Sequence, residues 1–440
     1  MKNKIIFFVF FLAFLIRLIS LNQSLWQDEA TTARVVQEYS YQEIITKFSP
    51  NDFHPSLYYL FMKFWTNVFG YSEIALRMPS ILFSLTTGYI IYLIAGIWGA
   101  VFFLFNPLIV YYSQEARMYM ATTFFLTVAL YYFEKMLRTQ KSKLKSQNLD
   151  VLFFGIFISL GFLTFYGSIF LIAAMYIYLL YKKQYKTFIV SCFLFLVSFA
   201  FISPLLYQQL INAKTSFLNV ANWSLVLGKA NLKNLLLIPV KFSIGRIDFY
   251  PKWIYYLIAG GWTAFVLSKF KNFSLFLYLF IFPLFLGFII SFFTPLLQYF
   301  RFIYLIPIMA ILLAERQPRR LRRQVLLIGG FLVFSLVYLL LPQFHREDWK
   351  SLVKSLPNDK SVYMILSSSD PLKYYNNNLN IKELKSLSSS SSLSREIIVI
   401  PFTAEVYGFD YKTVLKEKNF SLTNKRSFRE LELETWKRIN

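Results

Sequence analysis

Residues that hold disulfides and metal clusters are almost absent from this sequence. It contains one cysteine, Cys192, which lies in an apolar run, and two histidines, His54 and His345. One cysteine cannot form an intramolecular disulfide. So few thiols and imidazoles also exclude a cysteine-based or poly-histidine metal site.

Glycine-rich phosphate loops are missing as well. Glycine accounts for 15 of the 440 residues, and neither a G-x-G-x-x-G loop, a Walker loop nor a D-x-D motif occurs. Such loops let the backbone approach the phosphates of a nucleotide closely. Their absence disfavours a soluble nucleotide-sugar enzyme with an α/β fold.

Charge is scarce, whereas apolar residues are abundant. Charged residues make up 16% of the chain and hydrophobic residues 56%. Many apolar runs reach the roughly 17–25 residues that a helix needs to cross a bilayer. The net charge of +23 would suggest nucleic-acid binding in a soluble protein. Here most basic residues lie in short loops between apolar segments, which is typical of topology signals. The composition indicates a polytopic membrane protein that does not bind nucleic acid.

We predict about eleven transmembrane helices. They lie at about 5–21, 78–95, 97–112, 118–134, 151–166, 168–181, 187–207, 253–268, 273–293, 302–314 and 324–341. The first apolar run follows Lys2 and Lys4 and has no small-residue cleavage site after it, so we expect an uncleaved span rather than a signal peptide. The second and third spans are short and are joined without a basic residue.

The loops sort by charge onto the two sides of the membrane. One side receives Lys2, Lys4, Lys135, Arg138, Lys141, Lys143, Lys145, Lys182, Lys183, Lys186, Lys269, Lys271, Arg316, Arg319, Arg320, Arg322 and Arg323. The positive-inside rule makes that side, with the N-terminus, cytoplasmic. An odd number of spans places the C-terminus on the outer side.

Three long segments therefore face outward. They are the outer loops 22–77 and 208–252 of a transmembrane module spanning 1–342, and a soluble domain spanning 343–440. We predict an interfacial helix at 57–69. Strand-like runs at Val362–Leu366 and Ile397–Phe402 alternate with polar stretches, which indicates that the C-terminal domain is α/β.

Acidic residues on the outer side are few, so the candidates for a catalytic carboxylate form a short list. Before the C-terminal domain they are Asp28, Glu29, Glu38, Glu43, Asp52, Glu73, Glu115 and Asp248. The adjacent acids Asp28 and Glu29 follow the first span closely, and two carboxylates at a bilayer surface are costly if partly buried. A catalytic pair and a simple helix cap, with Asp28 as the capping residue, both remain open at this point.

Glu115 lies in a polar stretch between two apolar spans. Such a stretch must be buried in protein or line a wet cavity. The alternatives are a structural ion pair with Arg117 and a functional site, and ionisable groups at membrane depth favour the second. His54 precedes Pro55 at the predicted N-cap of the interfacial helix, and is a secondary candidate for substrate binding.

Several cations on the outer side suit an anionic substrate group. They are Arg77, Arg117, Lys241, Arg246 and Arg301. Arginine can grip phosphate oxygens with two hydrogen bonds. Arg301 begins the tenth span, where a buried arginine has few uses other than to bind an anion. Contact with lipid headgroups is the alternative, especially for Lys241.

The order of several motifs resembles a known family. The motifs are Leu25–Ala30, His54–Tyr59, Ser72-Glu73 with Leu76–Ser80, Asn106-Pro107 with Tyr111–Tyr119, Arg346–Trp349, Pro371–Tyr375 and Tyr407–Tyr411. The chain resembles the bacterial branch of the protein-O-mannosyltransferase and lipid-A aminoarabinose-transferase superfamily, whose members have the GT-C glycosyltransferase fold. The resemblance covers nearly the whole chain. The loop between the second and third spans departs from the family, in which it is usually longer and basic.

The resemblance implies a glycosyltransferase that takes a hexosyl or pentosyl group from a polyprenyl-phosphate donor on the outer leaflet. Asp28, with Glu29 beside it, corresponds to the catalytic acid of the first outer loop. Glu115 corresponds to the acid of the second loop, while Arg117 and Tyr119 in the same motif are substrate contacts. The acceptor is a hydroxyl of a lipid glycan, a polysaccharide or a protein.

The chemistry of the residues agrees with this implication. Transfer from a lipid phosphate needs a base for the acceptor hydroxyl and positive charge for the departing phosphate. We predict that Asp28 is the base of an inverting displacement, with Arg117 and Arg301 at the phosphate. A divalent cation held by Asp28 and Glu115 is a further hypothesis. The alternative function is a transporter or flippase of lipid-linked sugars that performs no chemistry.

Overall fold

The computed structural model describes residues 2–138, 144–222, 227–268, 270, 274–314, 321–357, 360–390 and 393–439. These residues form a large helical body followed by a small domain with a five-stranded sheet. The predicted fold class, a helical membrane protein with an α/β domain at its C-terminus, is confirmed.

Helices account for almost all of the first part of the chain. In chain order they are α1 (Lys2–Leu18), α2 (Gln27–Glu38), α3 (Tyr41–Glu43), α4 (Leu57–Phe69), α5 (Glu73–Leu104), α6 (Pro107–Tyr112), α7 (Tyr119–Arg138), α8 (Leu144–Thr164), α9 (Ile169–Tyr181), α10 (Tyr185–Asn219), α11 (Leu232–Ile244), α12 (Lys252–Leu267), α13 (Leu275–Ile290), α14 (Ile306–Ala314) and α15 (Leu321–Leu340). The predicted interfacial helix at 57–69 is α4.

The apolar helices match the predicted spans in position. Three of the described helices, within Glu73–Leu104, Tyr185–Thr215 and Arg322–Leu340, are long and apolar enough to cross a bilayer, and four shorter apolar helices accompany them. The total of eleven spans stays a prediction. Part of the cytoplasmic charge pattern, namely Lys141, Lys143, Lys269, Lys271, Arg316, Arg319 and Arg320, lies outside the described residues.

Helix α5 contains the hairpin expected between the second and third spans. Gly96 has φ +71°, so the helical path is broken there. A Cβ on Gly88 would lie 2.6 Å from Leu104 Cδ2, a contact that a straight helix could not make. The buried Arg17 guanidinium donates both to Ser84 Oγ and to the Leu104 carbonyl oxygen, each at 2.9 Å. The chain therefore reverses at Gly96.

The third predicted span is shorter than expected because Asn106 interrupts it. The Asn106 side-chain oxygen accepts from the backbone N–H groups of Leu108 and Ile109, at 3.0 and 3.2 Å, and so caps α6. After α6 the chain passes through the non-helical residues 113–118, all of them buried, before α7 begins. Of the two alternatives predicted for this polar stretch, burial in protein or the lining of a wet cavity, the structure shows burial.

The C-terminal domain is built on a mixed sheet. Its strands are β1 (Val362–Met364), β2 (Ile381–Glu383), β3 (Glu396–Val399), β4 (Phe420–Phe428) and β5 (Leu431–Arg438), and their order is β2-β1-β3-β5-β4. Strands β1, β2 and β3 are parallel, whereas β4 and β5 form an antiparallel hairpin at one edge. The short helices α16 (Trp349–Lys354), α17 (Asp370–Tyr375), α18 (Ser386–Ser389) and α19 (Tyr411–Glu417) complete the domain.

The domain is docked on the start of α2. The Tyr375 hydroxyl accepts from the Leu25 backbone N–H at 2.8 Å. The Thr31 hydroxyl donates to Asp370 at 2.7 Å, and the Gln27 amide donates to the Ser368 hydroxyl at 3.2 Å. These contacts surround Asp28, so the C-terminal domain helps to fix the helix that carries the first candidate acid.

Candidate active site

The first candidate acid projects from the opening turn of α2. The helix begins at Gln27, and Glu29 completes its cap because the Glu29 carboxylate accepts from the Trp26 backbone N–H at 3.4 Å. Asp28 is therefore not the capping residue, and the cap interpretation fails for it. Its side chain is 41% exposed and its Oδ2 lies 3.5 Å from Arg117 Nη2.

Arg117 is a buried cation with unused donor capacity. Its side chain is 5% exposed. One terminal nitrogen donates to the Tyr59 hydroxyl at 3.2 Å. The Nε–H has no hydrogen-bond partner among the described residues. Because a buried donor without a partner is costly, this arrangement favours a ligand that completes it.

Glu29 and Arg77 form a closed, buried pair. The Arg77 Nε and Nη2 atoms donate to the two Glu29 oxygens at 2.8 and 2.6 Å. Both side chains are 2% exposed or less. The remaining N–H groups of Arg77 donate to the carbonyl oxygens of Leu21, Gln23 and Ser24. A guanidinium has five N–H donors, and all are used. This geometry favours a positioning role for the pair, whereas the sequence predicted that Arg77 binds substrate and that Glu29 is catalytic.

The pair also connects two distant parts of the chain. Besides its bonds to Arg77, Glu29 Oε1 accepts from the Ala116 backbone N–H at 2.8 Å. Ala116 lies between Glu115 and Arg117. The Glu29 carboxylate thus sets the distance from Asp28 to both of these residues.

The Glu115 side chain lies beside Arg346, which follows the last helix of the membrane module. It is 3% exposed, and neither of its carboxylate oxygens has a hydrogen-bond partner among the described residues. The nearest cation is Arg346, whose Nε lies 3.5 Å from Glu115 Oε1. Burial raises the pKa of the Glu115 carboxyl to about 7, although Arg346 acts in the opposite direction.

Arg346 was not predicted from the sequence as a site residue. It follows the last helix of the membrane module and lies at the entrance to the C-terminal domain. Its guanidinium stacks 3.8 Å from the centre of the Trp26 ring, and its Nε donates to the Tyr111 hydroxyl. In the sequence, the motif Arg346–Trp349 contributes to the family resemblance but indicates no role for Arg346. Its place directly after an apolar helix was the available signal.

Arg246, which the sequence predicts to be a substrate contact, lies beside Arg346. It donates to the Tyr111 hydroxyl at 2.7 Å and lies 3.6 Å from Glu430 Oε1 of the C-terminal domain. One tyrosine hydroxyl thus accepts from two guanidinium groups. The site therefore contains arginines in two places. Arg117 lies beside Asp28, whereas Arg246 and Arg346 form a cluster at the Tyr111 hydroxyl.

Tyr119 and Arg301 lie on the Arg117 side. The Tyr119 ring makes edge contacts with Tyr112 and Phe300, with ring centres 5.1 and 5.8 Å apart. Arg301 lies over the Phe300 ring at 5.9 Å and makes a long contact, 3.5 Å, with the Pro295 carbonyl oxygen. Both residues remain candidates for substrate contacts.

His54 and Lys241 differ from their predicted settings. Helix α4 begins at Leu57 with Ser56 at its N-cap, so His54 is not the cap. Its Nδ1 lies 3.4 Å from Asp52 Oδ1. Lys241 does not reach toward headgroups. It is 8% exposed and donates to the Ile247 carbonyl oxygen at 3.1 Å, a geometry that favours a structural role, while its substrate contact stays a prediction.

The carboxylates of the site fit a divalent cation poorly. Asp28 faces Arg117 and Glu115 faces Arg346. The described parts of the chain contain no group of three or more histidine, cysteine, aspartate or glutamate side chains arranged to hold a metal. Positive charge at both acids is already supplied by guanidinium groups, so no step of the mechanism below passes through a metal.

The chain has the fold of ArnT, and a mannosyltransferase family model matches part of it, so the predicted resemblance is confirmed. Residues 53–207 match the family model described as dolichyl-phosphate-mannose-protein mannosyltransferase. The solved structure of ArnT from Cupriavidus metallidurans in the apo state matches with a TM-score of 0.61 and 10% identity, over 98% of each chain. ArnT bound to undecaprenyl phosphate matches with a TM-score of 0.56 and 10% identity, over 99% of this chain and 97% of that one. No curated protein sequence matches.

The role given to Arg77 predicts a large loss of stability on substitution. Arg77→Met leaves the Glu29 charge buried without its partner, which typically costs about 3–5 kcal/mol. We expect a sharply lower unfolding temperature or loss of folded protein. The control is Arg138→Met, which removes a pair in which the arginine is 70% exposed and should change stability by less than about 1 kcal/mol. Equal effects of the two substitutions would contradict the positioning role.

The raised pKa of Glu115 predicts a pH-dependent stability. Between pH 4.5 and about 7 the folded protein holds a proton on Glu115 that the unfolded chain has released, so stability falls as pH rises through that window. Thermal unfolding at pH 5 and pH 8 measures the fall. Glu115→Gln should reduce it. An identical pH profile for the variant would show that Glu115 is ionised throughout.

Proposed function

We propose that this protein transfers a hexosyl or pentosyl group from a polyprenyl-phosphate donor to a hydroxyl acceptor on the outer face of the membrane. The observation that carries the proposal is the pairing of a half-exposed carboxylate, Asp28, with a buried guanidinium, Arg117, whose Nε–H lacks a partner in the described chain. The undecaprenyl phosphate named for one ArnT structure supports a lipid phosphate as the donor group.

In the proposed reaction, Asp28 acts as the general base. Its carboxylate takes the proton of the acceptor hydroxyl while the hydroxyl oxygen forms a bond to the anomeric carbon. The bond between that carbon and the phosphate oxygen breaks, and its electron pair stays on the departing lipid phosphate. One displacement inverts the anomeric configuration, and no covalent sugar–enzyme intermediate forms.

The arginines stabilise the charge that builds up on the leaving phosphate. Arg117 lies opposite the base. Arg246 and Arg346 share the Tyr111 hydroxyl and supply a second cationic cluster, and Arg301 lies on the Arg117 side. Preorganised donors of this kind act strongly in a site that excludes water. Arg77 is not among them because all its donors are used within the protein.

Glu115 acts through Arg346 in this proposal. With a pKa near 7 and with Arg346 within 3.5 Å, it is suited to orienting that guanidinium and to adjusting the charge of the cluster. The catalytic role given to Glu115 by the resemblance thus becomes a positioning role, while Asp28 contacts the acceptor.

The outward orientation follows from charge and from the position of the site. The candidate residues lie in or beside the loops opposite the basic ones, and the positive-inside rule assigns the basic loops to the cytoplasm. We therefore place Asp28 and the C-terminal domain on the extracytoplasmic side, where a lipid-linked sugar and an acceptor of the cell envelope meet.

The role of Asp28 predicts a severe loss of transfer activity. Asp28→Asn keeps the size of the side chain but removes the base, which should lower the transfer rate by about 10²–10⁴-fold. Mass spectrometry of cell-envelope glycans should show the loss of one sugar. Asp248→Asn is the control, because it changes an exposed outer-side carboxylate that pairs with Lys252. Full activity of Asp28→Asn would favour a transporter that performs no chemistry.

The role of Arg346 predicts weaker binding of the donor phosphate. Arg346→Gln removes one charge-assisted contact, and we expect roughly a tenfold weaker affinity for a polyprenyl phosphate. The corresponding polyprenol, which lacks the phosphate, should bind equally to both proteins. Arg395→Gln, an exposed change in the same domain, is the control. Equal phosphate affinity in wild type and Arg346→Gln would remove Arg346 from the site.

A further inference from the structure

The C-terminal domain contains a cavity of about 550 Å³ at its contact with the second outer loop. Asn222 of that loop closes one side. Its backbone N–H donates to the Val406 carbonyl oxygen at 3.0 Å, and its side-chain amide donates to the Glu405 carbonyl oxygen at 2.8 Å. The volume is within the range of ordinary small-molecule sites, roughly 300–1,000 Å³.

The cavity is acidic, although the chain as a whole is strongly basic. Its lining includes Glu405, Asp410, Glu430 and Glu432, against one basic residue, Lys412. Asp410 is engaged in capping α19, where it accepts from Thr413. Glu430 pairs with Arg246 at 3.6 Å and Glu432 with the half-exposed Lys425 at 2.7 Å, each through one carboxylate oxygen. The carboxylate of Glu405 is exposed. Carboxylates only accept hydrogen bonds, so a ligand here must donate them.

A further carboxylate lies behind the wall of the cavity. Glu434 is fully buried, and its Oε2 accepts from the Tyr411 hydroxyl at 3.0 Å and from the Trp436 indole at 2.9 Å. Its Oε1 has no hydrogen-bond partner in the described parts of the chain. That oxygen is directed toward Lys412 of the cavity wall, 3.9 Å away. Glu434 thus forms an ion pair with Lys412 and partly neutralises the one basic residue of the lining.

Aromatic rings complete the lining. Phe402, Phe409 and Tyr411 provide apolar faces among the carboxylates. The flat apolar face of an aromatic side chain packs well against the C–H face of a sugar ring. A positively charged group on that sugar is attracted to the aromatic ring as well. A phosphate or a lipid tail would meet either repulsion from the carboxylates or too little apolar surface.

The cavity is adjacent to the proposed catalytic cluster. Glu430, at the turn between β4 and β5, lines the cavity and lies 3.6 Å from Arg246. Arg246 in turn donates to the Tyr111 hydroxyl, which Arg346 also contacts. The ion pair between Glu430 and Arg246 therefore connects the cavity with the arginines assigned to the donor phosphate.

From this arrangement we infer that the cavity binds an amine-bearing sugar unit of the acceptor. The protonated amine faces the carboxylates of Glu405 and Glu432, and the hydroxyl groups donate to the remaining oxygens. The assignment of this sugar to the acceptor rests on the proposed function. The cavity's preference for a cationic sugar stands on its charge and shape alone.

Direct binding to the full-length protein tests the preference. The probes are the β-1,4-linked disaccharide of glucosamine, which is cationic, and its N-acetylated counterpart, which has the same rings without the charge. We expect the cationic probe to bind at least tenfold more tightly. The double variant Glu405→Gln with Glu432→Gln should weaken its binding by roughly tenfold, since exposed charge pairs contribute a few-fold each.

A matched double variant controls for general loss of charge. Glu396→Gln with Glu417→Gln removes two carboxylates of the same domain that do not line the cavity, and it should bind the cationic probe like the wild type. Equal binding of the two disaccharides, tighter binding of a lysine-rich peptide than of the cationic disaccharide, or no binding at millimolar concentration would overturn the inference.

Glycan analysis in cells separates this inference from the proposed function. The sugar lost in Asp28→Asn cells should also decrease in cells with the Glu405 and Glu432 double variant, but not in the control. An unchanged level in the double variant, despite its lost probe binding, would refute the acceptor role. A normal level in Asp28→Asn cells would refute the transferase instead, and that variant should still bind the cationic disaccharide.

Discussion

The buried ion pair of Glu29 and Arg77 is the interaction on which the arrangement of the site depends. Taking two charges out of water is costly, and the structure offsets the cost by satisfying every guanidinium donor. In return, the first outer helix, the second span and the backbone at Ala116 are held at fixed separations. The exposed Asp28 carboxylate can then face the buried Arg117. In the proposed reaction Glu29 thus takes no part itself, but it determines where the charges of Asp28 and Arg117 lie.

In the rest of the site, residues that are neighbours in the sequence have different surroundings and different partners. Asp28 and Glu29 are adjacent in sequence, yet one is half-exposed and the other is sealed in protein. Glu115 and Arg117 flank Ala116 and face different partners, as residues two apart in a tight turn must. Each acid is matched by an arginine from a different part of the chain. Local sequence therefore brings the charges close, and tertiary packing decides which of them meets the substrate.

Much of this architecture could be predicted because it depends on hydrophobicity over long windows. The apolar helices, the interfacial helix at 57–69 and the strands around Val362 and Ile397 follow from periodicity and composition. Strand β4 could not be predicted, since its residues are largely polar and exposed at a sheet edge. For a related reason the sequence did not show that the side chains of Arg77 and Lys241 donate to carbonyl groups of the protein itself. Whether a cation is free or saturated depends on carbonyl groups that only the folded chain brings to it.

The position of Arg346 has a consequence for how this chain can be divided. The residue stands at the boundary between membrane body and soluble domain, and its guanidinium lies against Trp26 near the opposite end of the sequence. Excising the last hundred residues would take part of the cationic cluster with them, as well as the hydroxyl of Tyr375 that holds Leu25. The C-terminal domain is accordingly part of the site and cannot be removed without loss of these contacts. Chimeras that exchange this domain between relatives would have to exchange the segment around Leu25 and Trp26 together with it.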